Sequence, residues 1–210
     1  RNFTEFQDLI LLAEAFKHTV IRGKRLGVVS GAGFEAVGMA DSIHADDFSM
    51  ALGHYSDTTR EAIETIIRTH RLEKLVTVSN PLDINPGADD TVHASMAEAL
   101  LRDPNIDAVV IGLDPHSPAT HTLNGSDVPT YDMNVPGTML DLMENVRKGS
   151  DKPLVAVVDG GSQFTPFREA LRHRGIPVFQ VCDRAIATLS IYMEARLAAG
   201  LEQRTPHQVL

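Results

Sequence analysis

Thiols, long apolar runs and positive charge are all scarce in this chain. A single cysteine, Cys182, occurs among 210 residues, so no internal disulfide can form, which fits a reducing compartment such as the cytoplasm. The longest apolar stretches, such as Leu9 to Leu12, fall far short of the roughly 20 residues that a spanning helix needs. No charged-then-apolar leader precedes them, so neither a membrane location nor secretion is expected. Lysine and arginine number 19 against 28 acidic residues, a net charge of −9. Nucleic acid and anionic membrane both select for basic surfaces, so neither is expected as the main partner. The chain also opens on Arg1 and not on methionine, as a piece of a longer protein would.

What is present is enough for a core. Hydrophobic residues make up 43% and charged residues 22%, a composition that offsets the entropy of ordering and argues against disorder. Apolar residues at helical spacing (Phe6, Leu9, Ile10, Ala13, Phe16, Val20) predict a helix from Phe3 to Ile21, a lead-in over residues 1–22. The remainder, 23–210, reads as one domain. Strands are expected at Leu26 to Val29, Phe48 to Leu52, Leu75 to Val78, Asp107 to Leu113, Pro153 to Val158 and Pro177 to Val181. Between them lie helices at Phe34 to Ile43, Asp57 to His70, Asp90 to Arg102, Gly137 to Lys148, Pro166 to His173 and Arg184 to Ala199. Strands that are apolar throughout and alternate with helices imply a parallel sheet covered on both faces. The fold class is therefore α/β, a single doubly wound parallel sheet of flavodoxin-like type.

In such sheets, ligands bind off the carboxyl ends of the strands. Four segments reach that edge: Ser30 to Gly33, Asn80 to Asp83, Asp114 onward, and Asp159 to Gly161. Ser30, Gly31, Ala32, Gly33 and Phe34 lead into a helix whose free amides and positive dipole end suit an anion. The same glycines also suit a plain tight turn. The spacing Gly31-x-Gly33-x-x-Ala36 matches the loose dinucleotide fingerprint. The acid wanted after the second strand is missing, however, since Gly53, His54 and Tyr55 stand there, and no Gly-Lys-Ser/Thr follows the glycines. Asn80, Asp83, Gly160 and Gly161 would edge the site.

Nine histidines are present. His18, His70, His93 and His173 are expected at helix surfaces. His116 and His121 lie on the long loop 114–136 and have the chemistry of a nucleophile, an acid/base or a metal ligand, with Asp114, Asp127 and Asp132 at hand. Too few ligands converge to predict a metal. Cys182 precedes the last helix, where the dipole would lower its pKa; the blander expectation is a small buried thiol. Asp46 and Asp47 read as a turn.

The runs Gly23 to Phe34, Ser79-Asn80-Pro81-Leu82-Asp83 and Leu101 to Val110 follow an order similar to that of NDP-forming acyl-CoA synthetases. So do Lys152 to Ala156 with Gly160-Gly161, and Arg174 to Phe179 with Asp183-Arg184-Ala185. Together these stretches span most of the chain from about Gly23 to Leu197, and they resemble the second of the family's succinyl-CoA-synthetase-like flavodoxin domains. The resemblance implies an enzyme that joins a carboxylic acid to coenzyme A while cleaving ATP or GTP. Its partners would be a phosphohistidine domain, a CoA-binding domain and an ATP-grasp domain, in a homo- or hetero-oligomer. ATP, magnesium and CoA would be held by those domains and no cofactor by this one, which would be inactive alone. The helix beginning at Gly31-Ala32-Gly33-Phe34 would face the phosphohistidine. The family's own phosphohistidine lies in a Ser-His-Thr-Gly loop, whereas the corresponding turn here, Asp159 to Phe164, has no histidine. Thr120-His121-Thr122 echoes that motif one strand too early. Two other readings remain open, a self-contained nucleotide- or flavin-binding module and a structural assembly domain.

Overall fold

The computed structural model describes residues 2–45 and 48–200; the expected turn at Asp46 and Asp47 lies outside the described residues. The elements run α1 (Phe3–Ala15), β1 (Arg25–Ser30), α2 (Gly33–Asp41), β2 (His44–Ala45), β3 (Phe48–Ser49), β4 (Ala51–Leu52) and α3 (Asp57–Thr69). They continue β5 (Leu82–Asp83), α4 (Asp90–Arg102), β6 (Ala108–Gly112), α5 (Met139–Lys148), β7 (Leu154–Val157), α6 (Thr165–His173), β8 (Val178–Phe179) and α7 (Cys182–Gly200). β2 and β3 form a small antiparallel ribbon, while every pairing in the main sheet is parallel.

The main sheet runs β4-β1-β6-β7-β8, with β5 also paired to β1. Counting β4 and β5 as one interrupted strand, this is the flavodoxin-like order 2-1-3-4-5. Strand residues alternate between the two faces. Val29, Val109, Ile111, Leu154 and Ala156 meet the layer built from α3 to α6, through Ile63, Leu100, Met143 and Phe167. Leu26, Val28, Ala108, Val110, Val155 and Val157 meet α1, α2 and α7, through Leu12, Phe16, Met39 and Leu189. Both faces are dry, which is why the strands carry no polar alternation.

The expected strand at Leu75 to Val78 does not form. The chain there is irregular, and the pairing with β1 comes later, at Val29 with Leu82 and Ser30 with Asp83. Between β4 and β5 the edge of β1 is satisfied by one side chain. Asn80 Oδ1 accepts from the Val28 amide (3.0 Å), and Asn80 Nδ2 donates to Leu26 O (2.8 Å) and Gly53 O (2.9 Å). A carboxamide thus supplies the ladder bonds of the missing strand segment.

The lead-in helix is also shorter than its apolar spacing suggests. It stops at Ala15, where the chain turns with the Thr19 amide on the Phe16 carbonyl (2.9 Å), and Tyr192 and Arg196 of α7 tie this exit by donating to the carbonyls of Phe16 and Thr19. Leu12 and Phe16 are buried, whereas Phe3, Phe6, Ile10 and Val20 are exposed. Among the described residues, no helix is long and apolar enough to cross a membrane.

Candidate functional site

The site lies where β1 and β6 end side by side, the point at which the sheet order reverses and open α/β sheets place their ligands. β1 ends at Ser30, Gly31 makes the turn, and Ala32 is the N-cap of α2. Alanine has no side-chain oxygen for the amides of the first turn, and none caps them from this position. The capping link runs instead through Ser30, whose Oγ accepts from the Ala32 amide (3.0 Å) and donates to Glu35 Oε2 (2.6 Å). Glu35 thereby plays the part of the acid in a capping box at one remove.

Glu35 is folded inward, 5% exposed, across the end of β6. A methyl group on Gly112 would overlap its carboxylate, so only glycine fits there. Burial dominates its ionisation and lifts its pKa to about 7; the Ser30 bond works the other way, while the charges of Asp159 and Asp114 add to the rise. The positive end of α2 favours the charged form, but loss of water outweighs it.

Three further groups surround the turn. Asp83 is exposed, holds the Asn85 amide on Oδ1 (2.9 Å), and places Oδ2 2.5 Å from where a Cβ on Gly33 would sit. Asp114 Cβ lies 3.3 Å from the corresponding position on Gly31, and its Oδ1 accepts from the His116 amide. The third is His93, from the first turn of α4. It is fully buried, with Nε2 3.0 Å from the Gly31 Cβ position. Its expected place on a helix surface is therefore wrong: α4 is enclosed by α3 and α5 and carries buried residues around most of its circumference. Burial lowers the His93 pKa, against the opposing effects of the Asp89 carbonyl and of the Asp90, Asp114 and Asp89 charges.

No protein-family model matches the chain. It is 25% identical over 198 residues to the alpha subunit of an ADP-forming acetate–CoA ligase II from Pyrococcus furiosus, covering 92% of this chain and 38% of that protein. The chain is homologous to part of an ADP-forming acid–CoA ligase subunit. A Candidatus Korarchaeum cryptofilum dinucleotide-forming acetyl-coenzyme A synthetase superimposes with a TM-score of 0.70 at 19% identity, over 95% of this chain and 40% of that one. The same enzyme in complex with phosphate and ADP also gives 0.70. A Pyrococcus horikoshii crystal structure gives 0.66 at 22% identity, over 90% of this chain and 40% of that one. The chain thus spans about two fifths of the length of these relatives.

Against the relatives' fold, the other expected site residues separate into those at the edge and those spent on structure. Ser30, Gly31, Ala32, Gly33 and Asp83 gather at the β1/β6 edge, and Phe34 stands 75% exposed beside them. Asn80 is spent on the edge of β1, with both amide hydrogens donated and its oxygen holding the Val28 amide. Gly160 turns with φ +131° after β7, where a side chain would strike the Phe164 ring and His116. The buried Arg168 guanidinium ties that turn by donating to the carbonyls of Val158, Gly160 and Gly161.

His121 is not a loose loop histidine. Its Nδ1 lies 2.7 Å from Asp90 Oδ2, and Asp90 also accepts from the backbone amides of His121 and Met139. Asp132 turns its carboxylate onto its own loop, to the amides of Gly125 and Asn134. His116 is exposed and sets its ring edge against Phe164, with centroids 4.8 Å apart. Among the described residues, no group of three or more His, Cys, Asp or Glu is arranged to hold a metal ion. The Cys182 thiol is pushed up by burial first, then by Glu35 and Asp183, so the helix dipole does not activate it. Glu35 and Arg168 escaped the sequence reading, and His93 was expected at a surface. A glutamate three residues after the N-cap was the available signal for the first; the others had none.

Proposed function

We propose that the chain is the domain of an NDP-forming acid–CoA ligase that packs on the phosphohistidine domain and presents the start of α2 to the phosphoryl group. The observation that carries this reading is the open amino end of α2 at the β1/β6 switch point. The first-turn amides of a helix lack the usual partner four residues back; here the Ala32 amide is taken by Ser30 Oγ and that of Glu35 by the Ala32 carbonyl (3.1 Å), which leaves the Gly33 and Phe34 amides for a ligand. Gly31 and Gly33 put no side chain of their own over the turn, and the exposed Phe34 and Val37 on the outer face of α2 offer contact area to the partner domain. Phosphoryl charge would be stabilised by amides and the helix dipole, with no lysine or arginine required. Asp83, exposed over Gly33, would swing aside as the phosphoryl group enters. ATP, magnesium and CoA would bind on the other domains, so this one would contribute binding energy and no nucleophile.

In the full-length enzyme, Gly33→Val should slow phosphoryl transfer from labelled nucleotide by about 100-fold, the scale for losing preorganised backbone donors. The domain should stay folded, because the added Cβ meets only the exposed Asp83 carboxylate, 2.5 Å from Oδ2, which can turn toward solvent. Transfer at the normal rate would refute the reading, and loss of folding would show that the glycine serves the turn alone. The apolar face of α1 left exposed by Phe3, Phe6 and Ile10 favours an assembly role as well. Nothing in the site favours a self-contained nucleotide or flavin module, since β4 leads into Gly53, His54 and a buried Tyr55.

A further inference from the structure

We propose that the α2 cradle takes a phosphoryl group that still carries a proton, and that His93 is the positioning residue that accepts the hydrogen bond from that proton. The proposal rests on the reading of α2 as a phosphoryl site and adds to it the protonation state of the ligand.

The argument starts from the histidine itself. His93 Nδ1 lies 2.9 Å from the Asp89 carbonyl oxygen, which can only accept, so Nδ1 holds the ring hydrogen. In the neutral ring Nε2 is then a lone-pair acceptor. It is buried and has no hydrogen-bond partner among the described residues. A buried acceptor without a donor is an unfavourable state that native proteins rarely retain unless something else satisfies it. The direction in which it points is also defined. Nε2 lies 3.0 Å from where a Cβ on Gly31 would sit, and Gly31 immediately precedes the N-cap of α2. The missing side chain leaves the lone pair facing the turn in which the anion would lie.

The surrounding charges decide what kind of anion fits. Acting on His93 are Asp89 and Asp90 at the start of α4 and Asp114 from the loop after β6, with Asp90 in turn bonded to His121. Glu35 feels Asp159 and Asp114, and Asp83 stands over Gly33. Among the described residues, none of the charged groups acting on His93 or Glu35 is a lysine or arginine. A fully ionised phosphoryl group would face these carboxylates without a cation. A monoprotonated one carries one charge less and brings the hydrogen that Nε2 lacks. The P–O–H donates to Nε2, the other oxygens take the α2 amides, and no bond to phosphorus forms or breaks.

Sulfate has the same shape but no proton to share near neutral pH, so it separates this idea from simple anion binding. Inorganic phosphate and sulfate are titrated into the whole protein at pH 7 by calorimetry, with the ring nitrogens of His93 followed by nitrogen-15 NMR. Phosphate should bind at least about tenfold more tightly than sulfate, the scale of one charge-assisted hydrogen bond. The free protein should show the neutral Nδ1-protonated ring, and its Nε2 signal should move with phosphate and not with sulfate. His93→Phe, which keeps a ring but removes the acceptor, should bring the two affinities within about twofold of each other. Gly31→Ala keeps the histidine but puts a methyl 3.0 Å from Nε2, between it and the turn; it should weaken phosphate binding more than sulfate binding, and it decides the matter if the histidine variant does not fold. Equal affinities in the wild type, or an unchanged preference in the folded His93→Phe protein, overturn the role of His93 alone. Failure of both anions to bind overturns the phosphoryl site and this inference together.

Discussion

Replacing Glu35 by glutamine should stabilise the protein above neutral pH and leave it nearly unchanged in mild acid. The carboxyl is 5% exposed, and its pKa rises from 4.5 to about 7 on folding, chiefly through burial. Below pH 4.5 both the folded and unfolded chains carry the proton, and Glu35 contributes no pH dependence. Between 4.5 and 7 the folded chain holds a proton that the unfolded chain has lost, so stability falls as pH rises through this window. Each factor of ten is about 1.4 kcal/mol, so a charged Glu35 disfavours the folded state by about 3 kcal/mol at pH 8. Glutamine keeps an oxygen for the Ser30 hydroxyl and removes the charge. Denaturant unfolding of both proteins at pH 5 and pH 8 reads the difference directly. The variant should be more stable by about 3 kcal/mol at pH 8 and within about 1 kcal/mol of wild type at pH 5. A variant no more stable than wild type at pH 8 would refute the assignment of Glu35 as a buried, reluctant carboxylate at the end of β6.

Other consequences concern the elements that hold the site in place. Gly112→Ala should destabilise the fold by about 2 kcal/mol, because its methyl overlaps Glu35. Pairing it with Glu35→Ala should recover part of that loss, and strict additivity in a double-mutant cycle would contradict the contact. Asn80→Ala removes two bonds to β1 and one to the Gly53 carbonyl after β4 and should lower the unfolding free energy by about 2–4 kcal/mol. Amide exchange at Val28 should rise as well; an unperturbed Val28 would show that the carboxamide does not stand in for a strand. Asp90→Ala releases the amides of His121, within the long loop, and of Met139, at the start of α5. Limited proteolysis should then cut within 114–136 much faster than in wild type, and an equal cutting rate would exclude Asp90 as the anchor.

Much of the architecture could be read along the chain. The apolar stretches of β1, β6 and β7 and the glycine turn before α2 each carry a local pattern, and the switch-point location of the edge follows from their order. Leu75 to Val78 misled because its β-branched residues look like a strand, whereas pairing depends on the neighbour that Asn80 supplies from elsewhere. His93 misled for a related reason. One polar residue in a helix reads as a solvated position until α3 and α5 are packed around it.

By itself the sequence determined the fold class, the resemblance to acid–CoA ligases and the small-residue turn that could face an anion. These follow from periodicity and steric freedom, which are local properties. Only the tertiary structure decided that Glu35 turns inward and is held near pH 7, that Asn80 is structural, and that Asp90 orients His121. It also decided that His93 lies beneath Gly31 with a bare nitrogen. Burial and charge are sums over neighbours distant in the chain, and the protonation of a side chain depends on what folding takes away from it, which is water.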